Sequence, residues 1–94
     1  MSSESSARGT FEIINKLGLH ARAATKLVQL AGKFNCDISL GRAGQTANAK
    51  SVMGVLLLCG SKGTKLDVVA SGPGAEEAVE QLGRLIRERF GEEE

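Results

Sequence analysis

Tryptophan and tyrosine are missing from this chain, and three phenylalanines supply all of its aromatic character. Sheets that read RNA by stacking use a cluster of exposed aromatic residues, so the composition argues against base recognition. Twelve basic and eleven acidic residues are scattered along the chain for a formal charge of +1. No polybasic patch marks a nucleic-acid or anionic-lipid partner. Histidine occurs once, at position 20, and the two cysteines, Cys36 and Cys59, are dispersed among apolar residues. A metal site needs clustered ligands, so none is expected, and no cofactor is implied. The longest apolar run, Val55 to Cys59, falls far short of the roughly 20 residues that span a bilayer. Dinucleotide-binding, P-loop and nucleophile-elbow motifs are absent too.

What remains is an ordinary globular composition, with 41% hydrophobic and 24% charged residues and one proline in 94 residues. A chain of this size builds one core and one domain. With no signal peptide, two buried reduced thiols suit the sequence better than a disulfide, which points to the cytoplasm. Residues 1–9 are Ser-rich and without hydrophobic periodicity, and read as a flexible extension. Residues 92–94 read as an acidic tail, leaving 10–91 as the domain. Neither end is expected to carry chemistry.

Phe11 and Ile13 flank Glu12 as in a half-buried strand that ends near Asn15 and the Leu17-Gly18 turn. From Ala21 the period changes: Ala24, Leu27, Val28 and Ala31 form one helical face, with Gly32 near its end. Cys36, Ile38 and Leu40 alternate as a second strand, Gly41 to Gly44 supply a turn, and Thr46–Ala49 return as a short third strand. Ser51 precedes a short second helix whose inward positions are Val52, Val55, Leu56 and Cys59, leaving Met53 and Leu57 outside. Leu66, Val68 and Ala70 make a fourth strand, broken by Gly72-Pro73-Gly74. The last helix carries Ala75, Ala78, Val79, Leu82, Leu85, Ile86 and Phe90 at helical period, acidic at its start, basic at its end, with Gly91 to stop it. The order β-α-β-β-α-β-α predicts an α+β fold: a two-layer open-faced sandwich of a four-stranded, mostly antiparallel sheet with three helices on one face.

His20 lies where the strand period stops and the helical period starts, within Gly18-Leu19-His20-Ala21-Arg22. The first turn of a helix presents unpaired N–H groups and a partial positive charge, a combination that favours phosphate. A neutral imidazole is a nucleophile near neutral pH, and Arg22 brings a forked set of donors. Phosphoryl transfer asks chiefly for positioning and charge stabilisation, so these groups suffice for a carrier whose partner supplies the rest. A lone histidine out of context is more often a helix cap or a turn residue. Ser51 is equally well explained as a helix N-cap worth about 1 kcal/mol over alanine.

Two motifs decide between these readings. Gly18-Leu19-His20-Ala21-Arg22, followed by Ala24 and Leu27-Val28, and then Asn48-Ala49-Lys50-Ser51-Val52-Met53-Gly54, resemble the histidine-containing phosphocarrier (HPr) family of the bacterial phosphotransferase system. The likeness runs from about Phe11 to Gly91 and includes the element order. It implies a phosphohistidine at His20 Nδ1, formed from phosphorylated Enzyme I that phosphoenolpyruvate has charged, with Arg22 steadying the phosphoryl group. An EIIA-type acceptor then takes the phosphate, and the carrier is a substrate of Enzyme I, not an independent enzyme. The resemblance also implies regulatory phosphorylation of Ser51 by an HPr kinase/phosphorylase. Docking falls to Leu19, Ala21, Ala24, Val52, Met53 and Leu57 on a monomer.

One position departs from the family pattern. Ala23 stands where proline usually follows the active-site arginine. Alanine is an excellent helix former, so the helix and its anion site are expected to persist. The departure bears instead on partner choice, and the alternative is a regulatory HPr-like module of a nitrogen-branch or signalling kind that acts through protein contacts alone.

Overall fold

The computed structural model describes residues 5–94. Four strands, β1 (Ser6–Glu12), β2 (Asp37–Arg42), β3 (Gln45–Asn48) and β4 (Lys65–Ser71), form one sheet in the order β1-β4-β2-β3. Every pairing in it is antiparallel. Three helices, α1 (Ala21–Ala31), α2 (Val52–Leu57) and α3 (Ala75–Arg87), make the second layer, and a single 3-10 turn follows at Arg89–Gly91. The two layers and the element order are those read from the hydrophobic periods.

The alternation in the two central strands decides which face is covered. Ile38 and Leu40 from β2, with Leu66, Val68 and Ala70 from β4, are buried, while Asp37 and Lys65 stay in solvent. Against them pack Leu27, Ala24 and Ala31 of α1, Val55 of α2, and Ala78, Leu82 and Ile86 of α3. α1 and α3 each bury a stripe at helical spacing and so present one apolar face to the core, while the short α2 contributes Val55.

β1 starts at Ser6, so Ser6 to Gly9 pair with β4 and belong to the sheet, not to an extension. Its inward residues are Ala7, Gly9 and Phe11, too small or too few to give a readable alternation. Small size is what the site requires. A Cβ on Gly9 would sit 2.9 Å from the Phe11 ring, and one on Gly83 of α3 would sit 2.3 Å from it. Both glycines make room for one aromatic ring between strand and helix. Residues 1–4 of the expected extension lie outside the described residues.

Helix ends account for the other differences. α2 stops at Leu57, and Cys59 adopts a left-handed backbone, so Leu58 turns into the core. Cys59 is therefore exposed and Cys36 buried, both as free thiols. Val52, expected to face inward, is exposed at the first turn. α3 stops at Arg87, and Phe90 enters the core through left-handed conformations at Arg89 and Phe90, not by continuing the helix. No helix among the described residues is long and apolar enough to cross a membrane.

At Gly18 two stretches of backbone come into close contact. This residue has φ +66°, and a Cβ there would sit 2.4 Å from the Gly60 carbonyl oxygen. Strain of this kind costs on the order of 2 kcal/mol even before the clash is relieved. Gly18→Ala is predicted to lower the thermal midpoint by roughly 10 °C, given about 4–8 °C per kcal/mol in a domain of this size. An unchanged circular-dichroism melt would show that this contact does not constrain the fold.

Candidate phosphoryl-transfer site

His20 is the N-cap residue of α1, with an extended backbone at φ −78° and ψ 178°. It enters that position because the Leu19 amide donates to the Gly60 carbonyl at 2.7 Å, and the Leu19 side chain is buried. The helix begins immediately afterwards, with the Ala24 amide donating to the His20 carbonyl at 2.8 Å. No side chain caps this end, so the N–H groups of the first turn are left for an anion. Ala23 sits buried in that turn, and the helix forms there without a proline.

The imidazole is partly exposed. Its Nε2 contacts Oε2 of Glu92, in the segment read from sequence as a tail without chemistry. Glu92 Oε1 accepts from Asn15 Nδ2 at 2.9 Å, and the same Nδ2 also donates to the Gly18 carbonyl at 2.9 Å. Asn15 is fully buried, and its Oδ1 has no partner among the described residues. Burial works to raise the Glu92 pKa, but the hydrogen bonds from Asn15 and His20 and the nearby His20 and Lys26 charges outweigh it, leaving the carboxyl below its usual range. Glu92 is thus ionised at neutral pH. A carboxylate only accepts hydrogen bonds, so Nε2 carries the ring proton and donates it. Among the described residues Nδ1 has no hydrogen-bond partner.

Around the ring is an open cleft of about 610 Å³ lined by Lys16, Leu17, His20, Arg22, Glu92 and Glu94. Arg22 is exposed and makes no ion pair among the described residues. Lys16 pairs with Glu94 across 3.6 Å, and the Lys16 amide donates to the Glu94 carbonyl at 2.5 Å. The cleft therefore brings together an imidazole nitrogen and a guanidinium, neither partnered among the described residues, and a helix N-terminus. No group of three or more His, Cys, Asp or Glu that could hold a metal occurs among the described residues.

The other site residues read from sequence separate into two sets. Ser51 Oγ accepts from the Gly54 amide at 3.1 Å as the N-cap of α2. Met53 and Leu57 are 68% and 69% exposed, and Val52 lies beside them in the same short helix. Ala21 is exposed next to His20. Leu19 and Ala24, expected at the docking surface, are instead 5% and 0% exposed and belong to the core. Leu19 is drawn inward by the bond of its amide to the Gly60 carbonyl, and Ala24 lies on the inward stripe of α1 with Leu27 and Ala31. Residues that sequence reasoning missed are Asn15, Lys16, Leu17 and Glu92. A buried phenylalanine followed by glycine and an acid, Phe90-Gly91-Glu92, was the one available signal that the tail is anchored.

The profile described as PTS HPr component phosphorylation site matches residues 7–88. Phosphocarrier protein HPr of Cupriavidus necator is 49% identical over 82 residues, covering 87% of this chain and 92% of the relative. HPr of Pseudomonas aeruginosa is 46% identical over 83 residues, covering 87% and 92% respectively. Among solved structures, HPr-C-His from Thermoanaerobacter tengcongensis superposes with a TM-score of 0.90 at 43% identity, covering 94% of this chain and 99% of that one. HPr from Bacillus anthracis superposes with a TM-score of 0.84 at 35% identity, covering 87% and 98%. With the family's phosphorylation-site profile running through its one histidine, and the same fold in its relatives, this chain belongs to the HPr family of phosphocarrier proteins of the phosphotransferase system.

Proposed function

We propose that the protein carries phosphate on Nδ1 of His20, taking it from phosphorylated Enzyme I and delivering it to an EIIA-type acceptor domain. The observation that carries this reading is the ring's placement. Nδ1 is free at the N-terminus of an eleven-residue helix, beside an unpaired Arg22, in an open cleft. A helix N-terminus and a guanidinium both stabilise the equatorial oxygens of a transferring phosphoryl group. The phosphate reaches His20 from phosphoenolpyruvate through Enzyme I, so the carrier acts as a substrate in the cytoplasm and as a monomer. A regulatory module working through contacts alone would need neither His20 nor Arg22.

The exposed apolar side chains of α2, with Leu17 beside the cleft, suit a docking face. Methionine adapts to several partners, and clustered exposed apolar groups on a small domain mark contact surfaces. Ser51 lies at the start of the same helix. Phosphorylation there by an HPr kinase/phosphorylase would add about −1.5 to −2 charges to that face and weaken docking without unfolding the domain.

Incubation with phosphoenolpyruvate and the cognate Enzyme I is predicted to give acid-labile label on the wild type and none on His20→Ala. Absence of label on the wild type would favour the regulatory module. Met53→Asp is predicted to raise the KM of Enzyme I for the carrier about tenfold, the equivalent of roughly 1.4 kcal/mol, with kcat retained. An unaltered KM would move the docking face elsewhere. Ser51→Asp is expected to slow transfer at subsaturating carrier while leaving the circular-dichroism spectrum unchanged. Transfer at the wild-type rate across that range would remove the proposed regulation.

A further inference from the structure

The C-terminal segment is held on both sides of the residue that reaches the histidine. Phe90 is buried in the core, with left-handed backbone at Arg89 and Phe90 to bring it there. Lys26 Nζ donates to the Phe90 carbonyl at 2.8 Å, which ties the turn to α1. Lys16 holds the last residue through its amide and its ammonium group. Left-handed conformations at two non-glycine residues are unfavourable, and burial of the Phe90 side chain offsets them. Between these anchors Glu92 has little freedom, and its second oxygen is occupied by Asn15.

We infer that Glu92 is a positioning residue for phosphoryl transfer, holding the His20 ring with its proton on Nε2 so that the Nδ1 lone pair faces the incoming phosphorus. This rests on the carrier reading given above and deepens it. When Nδ1 attacks, its lone pair forms the new N–P bond while the P–N bond of the donor protein's phosphohistidine breaks, and that electron pair leaves with the donor ring. Nε2 keeps its proton throughout. The His20 ring accordingly gains positive character as the bond forms, and the Glu92 carboxylate opposite Nε2 offsets it. A carboxylate in this place fixes both the tautomer and the orientation of an imidazole, as carboxylate partners of histidines do in catalytic and metal sites. Asn15, fully buried and donating to both Gly18 and Glu92, sets the carboxylate in turn. The charged groups around the ring are Lys16, Arg22, Lys26, Glu92 and Glu94, and of the two acids only Glu92 touches it.

The test combines Enzyme I kinetics with nitrogen-15 NMR of the His20 ring in wild type, Glu92→Gln, Glu92→Ala and Glu93→Ala. Glu92→Ala is expected to lower kcat for phosphoryl acceptance about tenfold with KM unchanged, and to convert the ring from one Nε2–H tautomer to a mixture. Glu92→Gln keeps an acceptor oxygen but no charge, so it retains the tautomer and still loses kcat. Glu93→Ala, altering an exposed neighbour, behaves as wild type. Wild-type kcat and an unchanged tautomer in Glu92→Ala, with His20 labelled normally, would overturn the role of Glu92 and leave the carrier reading standing. A wild type that takes no label at all would overturn both.

Discussion

The hydrogen bond from the Leu19 amide to the Gly60 carbonyl joins the loop before α1 to the loop after α2. It forms only because Gly18 has no Cβ and takes a left-handed turn against the Gly60 backbone. Leu19 is thereby drawn into the core, α1 starts two residues later, and His20 is left at the helix boundary with its ring in the open. The ring thereby lies beside the unpaired amides of the first helical turn. The same residue one turn further into the helix would have no unpaired amides beside it, and one residue earlier it would be buried.

A second consequence is division of labour between rigid and open parts. The sheet and the inward stripes of the helices hold the backbone around His20, and little of the site itself lies on the sheet. Exposed side chains, Leu17, Arg22, Met53 and Leu57, stand on the two segments tied together by the Leu19–Gly60 bond. A carrier must be read by both a donor and an acceptor. The same core presents an exposed apolar surface on α2 and an open cleft of mixed charge around His20.

Legibility from the sequence tracked the strength of hydrophobic period. β2, β4 and most of α3 were plain because Ile38 and Leu40, Leu66 and Val68, and Leu82 and Ile86 repeat at the spacing of their elements. β1 was cut short because residues 1–9 are Ser-rich and lack a hydrophobic period, whereas the structure pairs Ser6 to Gly9 with β4 and uses Gly9 to admit the Phe11 ring beside Gly83. The placement of His20 at the start of α1, with Arg22 in its first turn, and of Ser51 at the start of α2 was legible through the change from strand to helix period. Glu92 was not, since its contact with His20 spans 72 residues and depends on a left-handed turn at Phe90 that no local preference encodes. Leu19 and Ala24 were misplaced for a related reason. Belonging to a functional motif does not by itself decide which way a side chain points.

The central claim is that the phosphoryl group is held on Nδ1 of His20. The direct measurement is the phosphorus-31 to nitrogen-15 coupling in the carrier after phosphorylation by Enzyme I, with the imidazole nitrogens labelled. The account predicts coupling to Nδ1 with Nε2 still protonated against Glu92. Phosphate found on Nε2, or on any residue other than His20, would contradict it.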